Sequence, residues 1–197
     1  MVYNNISKSF SPRITTVVIP ATNKINGKID KIKELIQKSI SYLEDITKCR
    51  YYPVPTIIVD EIPPEDREKY GDSVSEINLL GVYFHQNSIP SNKFKSKLAG
   101  YPKDFIETLF SGGCVAIAYD HCFTYAEQES NKRNLKDENK DELFWDIFNA
   151  VLIHEHAHAI TFEGIYSKKS QFNAPIGEYT KTYAYKIVCE ALAEWLS

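Results

Sequence analysis

The sequence has few cysteines, no long apolar run and no surplus of basic charge, and each shortage closes a class of function. The four cysteines, Cys49, Cys114, Cys122 and Cys189, form no CxxC pair in 197 residues. A disulfide-stapled secreted scaffold is shorter and far denser in cysteine. The thiols therefore read as reduced, which fits a cytoplasmic protein. The opening stretch, MVYNNISKSFSPR, lacks the apolar centre of a secretory signal, and no pro-segment is evident. No stretch approaches the ~20 apolar residues that a membrane span needs. Net charge is −3 and the basic residues form no stripe, so neither a membrane nor a nucleic acid is an expected partner. Repeats, low-complexity tracts and internal boundaries are absent as well. With 43% hydrophobic and 25% charged residues, residues 1–197 read as one domain with its own core.

Several elements are legible from composition and period. Ile14 to Ile19 (ITTVVI) is a β-branched run closed by Pro20 and predicts a strand. Gly27 to Thr47 predicts a helix, with Ile29, Ile32, Ile36, Ile40 and Leu43 at helical spacing. Thr56 to Val59, Leu79 to His85 and Cys114 to Tyr119 predict further strands. Phe123 to Ala126 extends or pairs with the last of them. Pro102 to Phe110 predicts a short helix, with proline at its start and Gly112-Gly113 at its end. Glu61 to Glu76 and Asn87 to Lys97 read as polar connections, and Glu127 to Asp141 as a charged, featureless one. Tyr179 to Leu196 predicts a terminal amphipathic helix. The expected class is α+β: a twisted, mostly N-terminal sheet backed by helices.

The stretch Leu143 to Ile165 carries the chemistry. It contains His154-Glu155-His156-Ala157-His158, an HExxH sequence. On a helix, residues at i and i+4 share a face about one turn apart, so two imidazoles can reach one metal ion. Glu155 falls about 100° round from His154 and can touch a water at that metal without being a ligand. This is the donor set of a zinc hydrolase, with two ligands and a general base. Asn139 with Glu142 reads as a capping box at the helix start, and Gly164 as its stop. Phe144, Ile147, Val151, Phe162 and Ile165 lie within about 80° of His154 on a helical wheel. The histidines are thus expected on the inward-packing face. Two imidazoles buried there without a metal would be costly. His156 lies about 160° from His154 and is expected to be a surface or second-layer residue.

A catalytic zinc takes three protein ligands and keeps one open position. Glu163 lies about 180° from His154 on the same helix and faces the wrong way. In the terminal helix, Glu190 and Glu194 are one turn apart on a face shared with Tyr183 and Ile187. One can complete a His2Glu set while the other accepts a hydrogen bond from a ligand imidazole. Cys114, in SGGCVAI, is a further candidate. Thr161 and Gly164 stand where a metzincin would carry its glycine and third histidine, which excludes that family.

HExxH followed by a helix with ExxxE resembles the gluzincin branch of the zincin metallopeptidases. The resemblance spans His154 to Trp195. It implies a zincin-like fold, one Zn2+ per chain, Glu190 as third ligand and Glu194 as the partner of His154. Cys189 and Glu194 stand where the family often has Asn and Asp. The implied activity is hydrolysis of a peptide or protein substrate, with Glu155 as general base and Tyr183, Tyr166 or Tyr179 as oxyanion donor. In related enzymes an edge strand upstream of the helix binds substrate backbone, here Cys114 to Tyr119 or Leu79 to His85. Peptide deformylases also pair a Gly-Cys ligand with HExxH, which keeps Cys114 open as third ligand of a small-amide hydrolase. Their GxGLAAxQ segment is missing here, however, and Ala157 replaces their aspartate. A zinc-binding module without turnover is the remaining class. Structural zinc fills all four positions and needs no base, so the intact Glu155 favours an enzyme.

Overall fold

The computed structural model describes residues 17–19, 25–47, 51, 53–70 and 80–163. The described strands are β1 (Val17–Val18), β2 (Thr56–Val59), β3 (Gly81–Phe84) and β4 (Cys114–Ala118). They form one mixed sheet in the order β1-β2-β4-β3. β1 and β4 both run parallel to β2, with Val17 opposite Thr56 and Thr56 opposite Val115. β3 runs antiparallel to β4, with Gly81 opposite Ile117 and Phe84 opposite Cys114. Every residue of β2, β3 and β4 is buried. That explains why these strands read as continuous apolar runs rather than alternating ones: both faces of the sheet are covered.

Helices supply the cover. α1 (Ile29–Thr47), α5 (Tyr119–Lys132) and α6 (Asp137–Glu163) lie on one face with Ile58, Tyr83, Val115 and Ile117. α3 (Asn92–Lys97) and α4 (Lys103–Ser111) lie on the other with Ile57, Val82, Phe84, Cys114 and Ala116. The period-2 alternation of β4 thus divides its side chains between two cores. α1 buries Ile32, Ile36, Ile40 and Leu43 along one stripe. Burying each such side chain contributes about 1.5–3 kcal/mol. The whole is α+β, as expected, although its helices cover both faces of the sheet. Among the described residues no helix is long and apolar enough to cross a membrane.

Several expectations about connections are overturned. Glu61 to Glu76 contains a helix, α2 (Pro64–Tyr70). Its signals are proline in the first turn with Glu65 and Asp66 beside it. The polar stretch after Asn87 contains α3, whose N-cap Ser91 accepts from the Phe94 amide at 3.0 Å. The buried Asp66 carboxylate in turn accepts from the Ser91 amide at 2.7 Å and its hydroxyl at 2.5 Å. One carboxylate therefore ties α2 to the start of α3. Phe123 to Ala126 is helical, within α5, which starts directly at the end of β4. Its buried stripe is Tyr119, Cys122, Ala126 and Ser130; the small residues there hide the helical period from a hydrophobicity count. α6 begins at Asp137, so Asn139 sits inside the helix, its amide bonded to the Lys136 carbonyl at 3.0 Å, and is not the cap. Gly164 and the predicted helix from Tyr179 lie outside the described residues.

Candidate active site

The site is built on the C-terminal half of α6. His154 and His158, four residues apart, bring their Nε2 atoms to 2.9 Å. The rings are nearly perpendicular, with centroids 4.6 Å apart. Two nitrogens can share a proton at this distance or converge on one cation. Zinc bound by two imidazoles at ~2.0–2.1 Å in tetrahedral geometry separates the donors by about 3.3 Å. The rings need part by only about 0.4 Å to receive it, so the pair fits the ion. Among the described residues no group of three His, Cys, Asp or Glu side chains converges. Glu190, Glu194, Tyr183, Tyr166 and Tyr179 all lie outside the described residues.

Glu155 is buried, 7% exposed, and rests on the first residue of β3. A Cβ placed on Gly81 would stand 2.7 Å from Glu155 Cγ, 2.9 Å from its Oε1 and 2.9 Å from Val151 Cγ1. β3 and α6 therefore approach as closely as they do because position 81 has no side chain. Of the two strands expected beside the substrate, β3 is the one against Glu155. β4 lies between β2 and β3.

Cys114 belongs to the other face. It packs with Phe84, Phe94 and Phe110, while α6 packs on Val115 and Ile117. The sheet itself stands between the thiol and the imidazoles. Burial pushes the Cys114 thiol far above its ordinary value, against the thiolate that a metal ligand must be. This placement argues against Cys114 as third ligand. Cys122 on α5 is likewise a buried thiol raised by burial, with a smaller push from the nearby Glu155 charge. A cavity of about 450 Å³ lined by Ile89, Tyr101, Ile106 and Phe110 adjoins α3 and α4. It contains none of the candidate site residues.

His156 is not at the surface. It is fully buried, and both ring nitrogens are engaged: Nδ1 lies 2.8 Å from the Tyr51 hydroxyl and Nε2 lies 3.0 Å from the Thr56 hydroxyl. Burial lowers its pKa to about 3, so the ring is neutral and gives one donor and one acceptor. The Tyr51 oxygen also accepts the Val54 amide at 3.4 Å. With the ring neutral, one of the two hydroxyls donates to it and the other accepts from it. Burial likewise drives the Tyr51 phenol above its ordinary range, against a weaker lowering by the Val54 amide.

The face expected to pack inward does so in part, with Phe144 and His158 buried and Ile147 and Val151 packed against the core, but α6 is also buried on the opposite side. The buried residues Trp145, Phe148, Leu152, Ala159 and Ile160 cover an arc from about 120° to about 240° round from His154. His156 lies within that arc. Ile147, Val151 and His154 are only half-buried. Both arcs are apolar and both meet the sheet, Val151 and Glu155 at Gly81 of β3 and His156 at Thr56 of β2. Ser39 on α1 reinforces the same side, its hydroxyl 3.1 Å from Asn149 Oδ1. Of the two candidate ligands His154 is half-buried and His158 is buried, 4% exposed. Sequence reasoning missed Tyr51, Thr56 and Gly81. Of these only Gly81 had a signal, an isolated glycine opening an apolar run, which marks close backbone approach.

Comparison of the chain with protein-family models, curated proteins and solved structures finds no match in any of the three.

Proposed function

We propose that the chain is a zinc-dependent metallopeptidase with a zincin-like fold. The observation that carries this reading is the convergence of His154 and His158 Nε2 at 2.9 Å on one face of α6, with Glu155, next to His154 in sequence, buried against Gly81. Bound zinc would supply Lewis-acid polarisation of a carbonyl oxygen and of water. Glu155 would take the proton of the attacking water and deliver it to the leaving amine. Its burial against Gly81 restricts it to few rotamers, which suits a base that must act in one direction. β3, lying against that carboxylate, is the strand along which an extended peptide would run. Glu190 is proposed as third ligand, Glu194 as the hydrogen-bond partner of His154, and Tyr183 as the donor to the developing oxyanion.

The experiment is metal analysis of the purified chain together with digestion of a mixed peptide library. The reading predicts close to one zinc per chain and cleavage that Glu155→Gln abolishes while zinc is retained. A chain that binds zinc through His154 and His158 and cleaves nothing in the library would be a zinc-binding module. A chain that takes up no zinc would refute the site.

A further inference from the structure

We propose that His156, gripped by Tyr51 and Thr56 on the far side of α6, sets the rotation of that helix about its axis and so the aim of His154, Glu155 and His158. The proposal rests on the metal-site reading above. His154 and His158 differ by about 40° round the helix, and His156 stands about 180° from the line that bisects them. An anchor in that position has the greatest leverage on the pair. Side-chain tips lie about 5–6 Å from a helix axis, so a turn of about 10° would carry the imidazole nitrogens through about 1 Å. Displacements of that size cost about 10²-fold when they fall on reacting groups.

Apolar packing alone holds this angle loosely, because dispersion contacts have little directional preference. A hydrogen bond weakens steeply as its angle departs from linear. His156 makes two, at 2.8 Å to Tyr51, five residues before β2, and at 3.0 Å to Thr56, the first residue of β2. A leucine at 156 would bury as well without needing partners. A buried imidazole without them would be costly. The pairing therefore adds an angular constraint that hydrophobic burial does not supply. His156 touches no reacting atom in this account. It is a positioning residue, as are Tyr51 and Thr56.

The test compares the wild-type chain with Thr56→Val, Thr56→Ser and Tyr51→Phe, each loaded with Co2+ in place of zinc. Thr56→Val removes a hydroxyl with little change of shape, and Thr56→Ser restores it. The readouts are the visible absorption spectrum of the cobalt, its dissociation constant by chelator competition, and the melting temperature of the metal-free protein. The proposal predicts an altered spectrum and about 10- to 100-fold weaker cobalt in Thr56→Val and Tyr51→Phe. It predicts a wild-type spectrum in Thr56→Ser. A purely structural role would lower the melting temperature of the first two and leave spectrum and affinity unchanged, which overturns the proposal. Should Tyr51→Phe fail to fold, the Thr56 pair decides alone. A wild-type chain that takes up no cobalt removes the metal-site reading and this inference with it. Cobalt held equally by all four proteins overturns only this inference.

Discussion

Gly81→Ala should destabilise the protein, and the sign of the effect is the test. The backbone at Gly81 lies outside the left-handed region, so alanine can adopt its conformation there. At an unobstructed site of that kind, Gly→Ala stabilises by about 0.4–1 kcal/mol through the unfolded chain. At Gly81 the new Cβ meets Glu155 Cγ at 2.7 Å, Glu155 Oε1 at 2.9 Å and Val151 Cγ1 at 2.9 Å. Glu155 is 7% exposed and cannot swing into solvent without opening the contact between α6 and β3. Overpacking of this kind costs about 1–3 kcal/mol. After the unfolded-state gain, the net loss is about 1–2 kcal/mol. For a chain of this length that lowers the melting temperature by roughly 2–8 °C.

Gly100 is the internal control, since a Cβ there meets nothing within 4 Å. Gly100→Ala should hold or raise the melting temperature. The contact is assigned by repeating Gly81→Ala in a Glu155→Ala background. There two of the three close contacts disappear and the penalty should shrink, giving a coupling of about 0.5–3 kcal/mol. Thermal or urea unfolding of the five proteins, wild type included, suffices. A Gly81→Ala chain as stable as Gly100→Ala, or a penalty unchanged in the Glu155→Ala background, would refute the argument that β3 and Glu155 pack on a missing side chain.

Four further outcomes are expected. His154→Ala and His158→Ala should each abolish zinc uptake by metal analysis, and near-stoichiometric zinc in both would sink the assignment. Glu155→Gln should keep zinc and fold but lose peptide hydrolysis, because the isosteric amide keeps the packing and lacks the base; turnover near wild type would show that another group takes the proton. In chelator competition at one pH, Glu190→Gln should lose zinc most severely, Glu194→Gln should lose about 10- to 100-fold, and Cys114→Ser should change little. Loss of zinc in Cys114→Ser with Glu190→Gln intact would make formyl-peptide the first substrate to try. The Cys114 and Cys122 thiols, both buried and raised by burial, should stay silent to a thiol reagent until the chain unfolds. Rapid labelling of either in the native protein would contradict their burial.

The parts of the fold that sequence reasoning found are those where burial and composition coincide. β2 and β4 read as strands because they are apolar on both faces, and α1 because its isoleucines recur on one stripe. α2, α3 and α5 were missed because each is held by something other than a hydrophobic period. α2 and α3 are short and are joined through the buried Asp66 carboxylate. α5 packs through a stripe in which Cys122, Ala126 and Ser130 are small. At the site, the spacing of His154, Glu155 and His158 carried their mutual geometry, because it depends only on the helix. The surroundings of α6 did not follow in the same way. A helical wheel ranks faces by their apolar residues, and this helix is apolar on two of them. Both meet neighbouring elements, and the partners of the His156 side, such as Thr56 and Ser39, lie about 100 and 110 residues away in sequence.

The same packing limits where a third metal donor can come from. The sheet residues on the side of α6 are Thr56, Ile58, Gly81, Tyr83, Val115 and Ile117, and α1 presents mainly isoleucine and leucine. Cys114 lies behind the sheet. No described His, Cys, Asp or Glu joins His154 and His158 within reach of one ion. A third protein donor, if the site has one, therefore comes from outside the described residues. It would approach on the side of His154, the half-buried member of the pair, because β2 and α1 already occupy the opposite side of the helix. Two of those segments carry acidic groups and border described elements. Residues 71–79, with Asp72 and Glu76, lead into β3, and the stretch after Glu163 carries Glu178, Glu190 and Glu194. Both segments carry two carboxylates four residues apart in sequence, so spacing does not choose between them; the proposed function takes the second pair, with one carboxylate binding while the other orients an imidazole. An Asp72→Asn or Glu76→Gln chain should thus hold zinc as wild type does, and loss of the metal in either would move the third ligand from the terminal segment to the approach to β3.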